Sequence, residues 1–298
     1  LAAKLDELEA GRIACHLPDS PELIALVFAA SLSGRSITLF SYDYTVDQVK
    51  PLIALTEAVY IVTDKPVGLS AGCRVISPDS LDIFSAQKDS VLTKREAHDS
   101  EIVILTSGTT GAPKCASYLW SSLLAQVKQN DATIDQRWLL AYRLNHFAGI
   151  QMIAHVLRTA GTLVIADSVK IVDMIDAIPT YGVTHVSSTP TFWRFAMALL
   201  KDRQRELKLQ HITLGSEAAS GDLLEQLHGL FPYARLVHIY ASTEVGSCIS
   251  VSDMKPGLPA SVLKRPESAD TQFRIVDEEL QIKSRNGMTG YLNNKGSQ

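Results

Sequence analysis

Short β-rich runs alternate along the chain with longer helix-like runs. Runs of β-branched and apolar residues between turn residues predict strands. The predicted strands are Arg12–Leu17, Ser36–Phe40, Val59–Thr63, Glu101–Thr106, Arg137–Tyr142, Thr162–Ala166, Val183–Ser187, His211–Leu214 and Arg235–Tyr240. The helix-like runs are Glu22–Leu32, Ala116–Asn130, Ile150–Leu157, Ile171–Tyr181, Pro190–Leu200 and Gly221–Leu230.

Several helix ends carry local signals. Pro21 stands where a helix begins and Gly34 where it stops, and Thr189-Pro190 supplies an N-cap followed by a proline at the first helical position. The segment Thr45-Val-Asp-Gln48 has the capping-box pattern that opens a helix. Because Pro51 follows within that helix, we expect a kink or an early end there.

The alternation predicts an α/β fold with layered β-α-β subdomains, mostly parallel sheets and crossover helices. Two short runs near the end, Gln272–Val276 and Leu280–Lys283, predict a hairpin. We therefore expect an α/β core over residues 1–250, with two intertwined subdomains, and a small β unit over 251–298. Ligands of such folds collect beyond the carboxyl ends of strands, which directs attention to the loops after Thr106, Leu214 and Tyr240.

Composition excludes several function classes. The chain has 298 residues, 46% of them hydrophobic, and a formal net charge of −4, which argues against a nucleic-acid partner held through phosphate contacts. The four cysteines are far apart and form no C-x-x-C pair, so neither a disulfide framework nor a zinc ribbon is expected. The apolar run Leu23–Ala30 is too short to span a membrane, and residues 1–11 lack a signal-peptide core. We expect a cytoplasmic protein.

The loop in residues 105–114, LTSGTTGAPK, has the composition of a phosphate-binding loop. Gly108 and Gly111 let the backbone approach a ligand closely, and successive backbone N–H groups can form an anion nest. The hydroxyl donors and the cation are Ser107, Thr109, Thr110 and Lys114. It is not a Walker A loop, because Pro113 and Cys115 stand where that pattern requires Gly and Ser or Thr. An ordinary Gly/Thr turn is the alternative.

This loop resembles the phosphate-binding motif [ST]-S-G-[ST]-[ST]-G-x-P-K-G of the adenylate-forming superfamily, with Cys115 in place of the final Gly. The run HIYASTE at 238–244 is similar to that family's N-x-Y-G-x-T-E motif, and LNHFAG at 144–149 to the L-x-H segment of acyl- and aryl-CoA synthetases. The runs VTHVSSTPTFWRF at 183–195 and LGSEA at 214–218 also resemble family segments, in the family's order.

The resemblance implies a reaction in which a carboxylate attacks the α-phosphorus of ATP, giving acyl-AMP and pyrophosphate. A thiol, that of CoA or of a phosphopantetheine arm on an acyl carrier protein, then takes the acyl group. Mg²⁺ is the implied metal, and a small carboxylic acid the implied substrate. Catalysis has to come mainly from positioning and charge neutralisation, since two anions must approach each other.

Residue roles follow from the motif positions. Catalytic roles are implied for Thr243, Glu244, His146 and Lys114, with Glu244 as the Mg²⁺ ligand. Contacts with ATP are implied for Thr106, Ser107, Gly108, Thr109, Thr110, Gly111, Lys114, Gly215, Ser216, Glu217, Tyr240, Ala241, Ser242 and Thr243. The acyl pocket is implied for His146, Phe147, Gly149, Gly215 and Ala241. We expect His185 and His238 to pack or to support other site residues.

Two departures from the family pattern matter. The chain stops at MTGYLNNKGSQ, short of the [YFW]-x-T-G-D motif and of the C-terminal lid domain with its lysine. We therefore expect residues 1–298 alone to have little of the complete activity. Ala241 replaces a Gly that lies beside the acyl pocket in the family, which favours a compact acid.

Two other functions stay open. An amino-acid-activating domain is one, although LNHFAG lacks the Asp that clamps a substrate ammonium in those domains. A non-catalytic nucleotide- or acyl-binding core is the other.

Overall fold

A computed structural model of the chain describes residues 1–65, 68, 72–83, 99–106, 113–127 and 135–292, apart from the side chains of 201, 202 and 204. The chain forms two compact units. The first comprises Leu1–Ser122, Leu144–His146 and Met288–Gln298, and the second Leu123–Arg143 and Phe147–Gly287. Among the described residues, no helix combines the length and apolarity needed to cross a membrane.

The first unit contains a seven-stranded sheet in the order β15-β6-β5-β2-β1-β3-β4. Its strands are β1 (Arg12–His16), β2 (Ile37–Leu39), β3 (Ala58–Thr63), β4 (Arg74–Ile76), β5 (Glu101–Thr106), β6 (Lys114–Leu119) and β15 (Gly290–Tyr291). Strands β5, β2, β1, β3 and β4 are parallel to one another. Strand β6 is antiparallel to both of its neighbours, β5 and β15. The helices of this unit are α1 (Ala2–Asp6), α2 (Pro21–Leu32) and α3 (Val46–Leu55).

The helix-start predictions in the first unit are confirmed. Ser20 caps α2 by accepting a hydrogen bond from the Leu23 N–H. The capping box of α3 is complete, because Thr45 and Gln48 each accept from the other's backbone N–H. The expected early end at Pro51 is wrong, since α3 continues to Leu55. Burial of Val49, Leu52 and Ile53 in the core of this unit compensates for the hydrogen bond that proline removes.

The helix predicted over 116–130 is wrong in its first half. Residues 114–119 form strand β6, which pairs with β5 on one side and with β15 on the other, and helix α4 (Trp120–Ala125) follows. Cys115, Ala116, Ser117 and Tyr118 are all buried in this central position. Pairing with a strand on each side thus overrides the weak preference for helix of a run that contains Ala and Ser. Residues 128–130 of the prediction lie outside the described residues.

The second unit contains a six-stranded sheet in the order β12-β11-β10-β9-β7-β8. Its strands are β7 (Arg137–Leu140), β8 (Thr162–Val164), β9 (His185–Ser188), β10 (His211–Leu214), β11 (Arg235–Ser242) and β12 (Gly246–Val251). All neighbours are parallel except β12, which folds back antiparallel on β11. The helices are α5 (Phe147–Thr159), α6 (Ile171–Tyr181), α7 (Pro190–Leu200) and α8 (Gly221–Leu230).

One face of this sheet is apolar. Strand register aligns Leu139, Val186, Ile212 and Leu236 in one row across β7, β9, β10 and β11. This row is buried in a cluster with residues of α6, α7 and α8. The apolar face binds helices α6, α7 and α8, which leaves the opposite face of the sheet for α5.

The predicted hairpin near the end is confirmed as β13 (Thr271–Val276) and β14 (Glu279–Ser284). Asp277 and Glu278 form the two-residue turn, and both have positive φ, as the turn that matches strand twist requires. Phe273 of β13 is buried against Cys248, Ile249 and Val251 of β12, which attaches the hairpin to the six-stranded sheet.

Candidate active site

A cavity of about 420 Å³ lies between helix α5 and the second face of the six-stranded sheet. Helix α5 contributes one stripe of side chains at a spacing of four residues: Phe147, Gln151, His155 and Thr159. Strands β7, β9, β10, β11 and β12 contribute the opposite wall. The described residues that line the cavity all belong to the second unit. Its volume lies within the range of pockets for small molecules.

The floor of the cavity is a polar row at the amino-terminal ends of four strands. The strand register places Trp138 of β7, His185 of β9, His211 of β10 and Arg235 of β11 side by side. Because side chains alternate across a sheet, this row is on the face opposite to the apolar row of Leu139 and Val186. A continuous sheet register therefore concentrates imidazole and indole groups at one end of the cavity.

The aromatic side chains of this floor are in contact. The Trp138 ring centroid is 4.8 Å from that of His155 and 4.7 Å from that of His185. The His185 and His211 rings stack, with an interplanar angle of 11° and centroids 5.6 Å apart. We call Trp138, His155, His185 and His211 the imidazole floor.

Threonine side chains orient two of these rings. Thr184 Oγ1 lies 2.7 Å from His185 Nδ1, and Thr213 Oγ1 lies 3.0 Å from His211 Nε2. No described residue hydrogen-bonds the other nitrogen of either ring. His155 Nε2 is buried and also has no hydrogen-bond partner among the described residues. The imidazole floor thus holds unused hydrogen-bonding capacity.

Burial keeps these imidazoles neutral. Desolvation lowers the pKa of His185 to about 4, with a smaller contribution from His155. Desolvation, followed by the neighbouring His185 and Arg235, lowers the pKa of His211 to about 4. Desolvation also lowers the pKa of His155. At neutral pH each ring therefore offers one donor and one acceptor.

The opposite end of the cavity is formed at the carboxyl ends of the strands by Tyr142, Gly215 and Ser216. The Tyr142 hydroxyl hydrogen-bonds Ser216, Ser187 and the backbone of Gly215, while burial raises the pKa of Tyr142 to about 12. A Cβ on Gly215 would lie 3.0 Å from the Tyr142 hydroxyl, a tight contact that would require the hydroxyl to shift by a few tenths of an ångström. Ser216 has a φ of 68°, a left-handed conformation that its side-chain contact with Tyr142 helps to retain.

The β11–β12 hairpin presents the candidate metal ligand. Ser242 pairs with Gly246, which leaves Thr243, Glu244 and Val245 as a three-residue turn. The Ser242 hydroxyl donates to Glu244 Oε2 at 2.9 Å and accepts from the Glu244 N–H at 3.3 Å, so the carboxylate is held over its own turn. Glu244 is half-buried.

The side chain of Gln126 holds this hairpin through two hydrogen bonds to backbone groups. Its Oε1 accepts from the Ser247 N–H at 2.9 Å, and its Nε2 donates to the Asn286 carbonyl at 2.7 Å. Gly246 has a φ of 79°, and a Cβ there would come within 2.5 Å of Gln126 Oε1. Gln126 also lines the cavity, so one side chain connects the cavity wall with the turn that carries Glu244.

The other residues predicted from the sequence are distributed as follows. Phe147, Gly215, Ser216 and Ala241 line the cavity, whereas Gly149 is buried in α5 and is not part of the lining. Tyr240 lies on the other face of β11 from Ala241 and packs against the Cys248 cluster.

Glu217 holds the start of a helix. Its carboxylate accepts from the Thr191 N–H at 3.1 Å and from the Thr191 hydroxyl at 2.6 Å, at the beginning of α7. The Arg194 guanidinium lies 3.9 Å away. Glu217 therefore carries a structural role in addition to the nucleotide contact expected from the sequence.

The phosphate-loop residues of the first unit are described only at their two ends. Thr106 of β5 and Lys114 of β6 are directly paired across an antiparallel ladder, so the loop closes a hairpin rather than opening a helix. Ser107, Gly108, Thr109, Thr110 and Gly111 lie outside the described residues. The Lys114 ammonium stands 5.2 Å from the centroid of the Tyr291 ring. His146, in the same unit, is exposed.

Sequence reasoning missed the imidazole floor. The sequence predicts packing or a supporting role for His185 and does not single out His155 or His211. The structure places all three in the cavity wall, where His185 also packs against Trp138 and His211. Buried parallel strands usually read as continuous apolar runs. The run HITL instead alternates polar and apolar residues, and HVSS contains only one apolar residue, Val186; polar residues within buried strands are the available signal for a polar cavity.

No group of three or more His, Cys, Asp or Glu side chains in the described part of the chain could hold a metal ion. Cys115 is buried, and burial raises its pKa to about 11, which leaves the thiol protonated at neutral pH.

Comparison with known proteins identifies the family. The sequence profile described as AMP-binding enzyme matches residues 1–298, so the chain belongs to this family. 4-Coumarate-CoA ligase 1 of Narcissus pseudonarcissus is 24% identical over 323 residues, covering 93% of this chain and 58% of that protein. D-alanine--D-alanyl carrier protein ligase of Lactiplantibacillus plantarum is 28% identical over 312 residues, covering 92% and 59%. The chain thus spans less than two thirds of the length of these relatives.

A solved structure supports the fold. The N-terminal subdomain of NpsA from Klebsiella oxytoca, in complex with 3-hydroxybenzoyl-AMSN, superposes with a TM-score of 0.79 at 17% identity. The alignment covers 98% of this chain and 79% of that one. The α/β fold predicted from the sequence, with mostly parallel sheets and a small antiparallel unit, is confirmed, as is the resemblance to adenylate-forming enzymes.

The lowered pKa values of the imidazole floor predict loss of stability in acid. Between pH 6.5 and about 4 the unfolded chain binds more protons at His185 and His211 than the folded chain. The stabilisation that is complete above pH 6.5 is therefore lost as the pH falls toward 4, by up to about 1.4 kcal/mol per pH unit for each ring. Denaturant unfolding should show a shallower pH dependence for His211→Phe than for the unmodified protein. The exposed His228→Phe is the control, and identical slopes for all three proteins would contradict the assignment.

The Gln126 contacts predict different costs for two glycines with similar backbone conformations. Gly257 has a φ of 81° and nothing within 4 Å of its built Cβ, so Gly257→Ala should cost only the conformational strain, about 1 kcal/mol. Gly246→Ala has to displace the end of Gln126 as well and break its two hydrogen bonds, which adds about 1–3 kcal/mol. Chemical denaturation of the two variants measures the difference; equal losses would show that Gln126 does not stabilise the hairpin.

Proposed function

We propose that this chain forms the part of an acid–thiol ligase that binds ATP and a carboxylic acid and joins them as acyl-AMP. The observation that carries the proposal is the position of two motif residues of the family, Gly215 and Ala241, in the wall of a single small-molecule cavity. A binding site for the acid therefore adjoins the segment that the family motif associates with ATP.

The proposed reaction is an in-line displacement at phosphorus. A carboxylate oxygen forms a bond to the α-phosphorus of ATP, the bond from that phosphorus to the bridging oxygen breaks, and pyrophosphate leaves. Both reactants are anions, so the protein has to position them and offset their repulsion. The Lys114 cation and the hydroxyls of Ser107, Thr109 and Thr110 would hold the β- and γ-phosphates. The Thr243 hydroxyl would hydrogen-bond the α-phosphate.

The turn that carries Glu244 suits Mg²⁺. This ion prefers one or two carboxylates with phosphate oxygens and water rather than a full cage of protein ligands. Glu244 supplies one carboxylate, which is half-buried and fixed by Ser242. Mg²⁺ bound here would supply positive charge beside the phosphates. Glu244 itself would orient the ion, and Ser242 would orient Glu244.

The acceptor of the acyl group is proposed as a thiol. One of the relatives described above is named as a CoA ligase and the other as a carrier protein ligase, which supports CoA or a phosphopantetheine carrier without choosing between them. We propose His146 for the carboxylate end of the acid, from its motif position.

The cavity favours an acid that lacks an α-amine. None of the described residues that line it is an aspartate or a glutamate, so no lining carboxylate offers itself to a substrate ammonium. This supports an acyl- or aryl-CoA synthetase type of activity over activation of amino acids. A binding core without catalysis would retain ATP binding but not exchange.

The direct test is ATP–pyrophosphate exchange by the full-length gene product over a broad panel of acids, including aryl, short and long aliphatic, and amino acids. Exchange that depends on one class of acid supports the proposal. ATP binding by calorimetry without exchange for any acid would instead identify a non-catalytic core.

Glu244→Gln tests the metal assignment. The substitution keeps the size of the side chain and its contact with Ser242 but removes the charge. We expect a higher Mg²⁺ requirement and an adenylation rate lowered on the order of 10- to 100-fold, as for loss of a charged contact of about 1.5–3 kcal/mol. Glu225→Gln, on the exposed side of α8, is the control. An unchanged Mg²⁺ titration and rate would remove Glu244 from the site.

Ala241→Gly tests the size of the acid. The methyl group of Ala241 takes volume from the cavity wall, and its removal should favour a larger homologue of the native acid. We expect the ratio of kcat/KM values for the larger and the native acid to rise on the order of 10- to 200-fold, as for a methylene in an apolar pocket. Ala234→Gly, buried in the apolar cluster on the other face of the sheet, controls for lost stability. An unchanged ratio would show that Ala241 does not limit the acid.

A further inference from the structure

We propose that the imidazole floor selects an aryl carboxylic acid that carries a neutral hydrogen-bonding group, such as a hydroxyl, at the end of the molecule away from the carboxylate. The inference rests on the proposed acid activation, and it assigns a specificity role to His155, His185 and His211. His155 and His211 lie outside the runs that carry the resemblance to the family, whereas His185 belongs to the run at 183–195.

The placement of the floor makes it a sensor of the far end of the substrate. Strand β10 begins at His211, and Gly215 follows its last residue. Both residues line the cavity. Four residues of extended strand separate them by about 13 Å. An acid whose carboxylate lies beyond the carboxyl ends of the strands therefore extends its other end along the sheet toward His211.

The walls between the two ends suit a flat ring. The cavity lies between one helix, α5, and one face of the sheet. Its apolar lining includes Phe147 and Met152 from α5, and Val237 and Ile239 from β11. Apolar and aromatic walls of this kind gain most from a planar apolar body, whose faces they bury on both sides.

The chemistry of the floor requires a polar group at the end of that ring. His155 Nε2 is buried without a partner among the described residues, and His185 and His211 each use only one ring nitrogen in contacts with threonines. An alkyl terminus pressed against these nitrogens would exclude water without replacing its hydrogen bonds. A hydroxyl both donates and accepts, so it can pair with a neutral imidazole in either tautomer.

A second anionic group fits less well than a neutral one. The three imidazoles are uncharged at neutral pH because burial disfavours their protonated forms. The cation of the row, Arg235, is exposed to solvent, where its charge is screened. A carboxylate at this end would lose hydration beside neutral rings. A hydroxyl group loses less hydration free energy than a carboxylate, and a hydrogen bond to an imidazole offsets that loss.

The test is pyrophosphate exchange by the full-length gene product with benzoic and cinnamic acids that carry hydrogen, methyl, hydroxyl or carboxyl at the para position. Methyl and hydroxyl groups have nearly the same size, so their ratio isolates hydrogen bonding. We expect the better of the two hydroxy acids to exceed its methyl analogue in kcat/KM on the order of 10- to 100-fold. A preference for methyl, or equal use of both, would overturn the inference, and a preference for carboxyl would replace it with a site for a diacid.

Two variants assign the preference to the floor. His211→Phe keeps a flat ring but removes the hydrogen-bonding nitrogens, and it should abolish most of the hydroxyl-to-methyl preference while ATP binding is retained. His211→Asn keeps a donor and an acceptor and should retain part of the preference. His228→Phe on α8 makes the same change outside the cavity and should leave the ratio unaltered. An unaltered ratio in His211→Phe would overturn the role of His211.

Failure of this inference is distinguishable from failure of the proposed function. Exchange with aliphatic acids but with no aryl acid would leave acid activation standing and overturn the aryl class. If no acid in the broad panel supports exchange, the proposed function itself fails. The comparison of methyl and hydroxyl acids on the unmodified protein does not depend on any variant folding correctly.

Discussion

The in-register alignment of four parallel strands, β7, β9, β10 and β11, is the constraint on which the second unit depends. Because side chains alternate across a sheet, one register defines two rows at once. Leu139, Val186 and their neighbours form the apolar row that binds three helices. A shift of one residue in any strand would exchange the rows locally, placing an imidazole in the core and an aliphatic side chain in the cavity. Core packing and cavity chemistry are therefore specified together.

This arrangement carries a cost in stability that a purely structural sheet would avoid. Parallel sheets are usually covered on both faces and apolar on both. Here one face holds three imidazoles whose pKa values desolvation lowers, to about 4 for His185 and His211, and Ser216 holds a left-handed backbone at the other end of the cavity. Buried polar groups and backbone strain tend to gather at binding sites, where function compensates for what stability loses.

Much of the fold could be predicted from local signals. The capping box at Thr45 predicts the start of α3, and the alternation of strand-like and helix-like runs predicts α6, α7 and α8. These signals are readable because they arise from residues that are close together in the sequence. The errors are long-range. Strand β6 depends on pairing with β15, whose residues lie more than 170 positions later, and the continuation of α3 through Pro51 depends on core packing. Neither is visible in a short window of sequence.

In the candidate site, too, some residues could be predicted from the sequence and others could not. Motif positions such as Gly215 and Ala241 could be placed at strand ends from the sequence, since a resemblance carries them. The imidazole floor could not, because it exists only once the register brings Trp138, His185 and His211 from three separate strands into contact. His155 joins them from helix α5. Its spacing from Phe147 places both residues on one helix face, but ordinary core residues show the same spacing, so the sequence does not distinguish His155.

The hairpin formed by β5 and β6 has a consequence for electrostatics. Many anion-binding loops lead into a helix, whose dipole contributes about half a positive charge at its N-terminus. The loop between Thr106 and Lys114 leads from one strand into another, so no helix begins at its end. Under the proposed function, attraction of the outer phosphates at the described end of this loop rests on the half-buried ammonium of Lys114, with no helix dipole beside it. That attraction weakens as ionic strength rises, but less steeply than it would for a fully exposed charge.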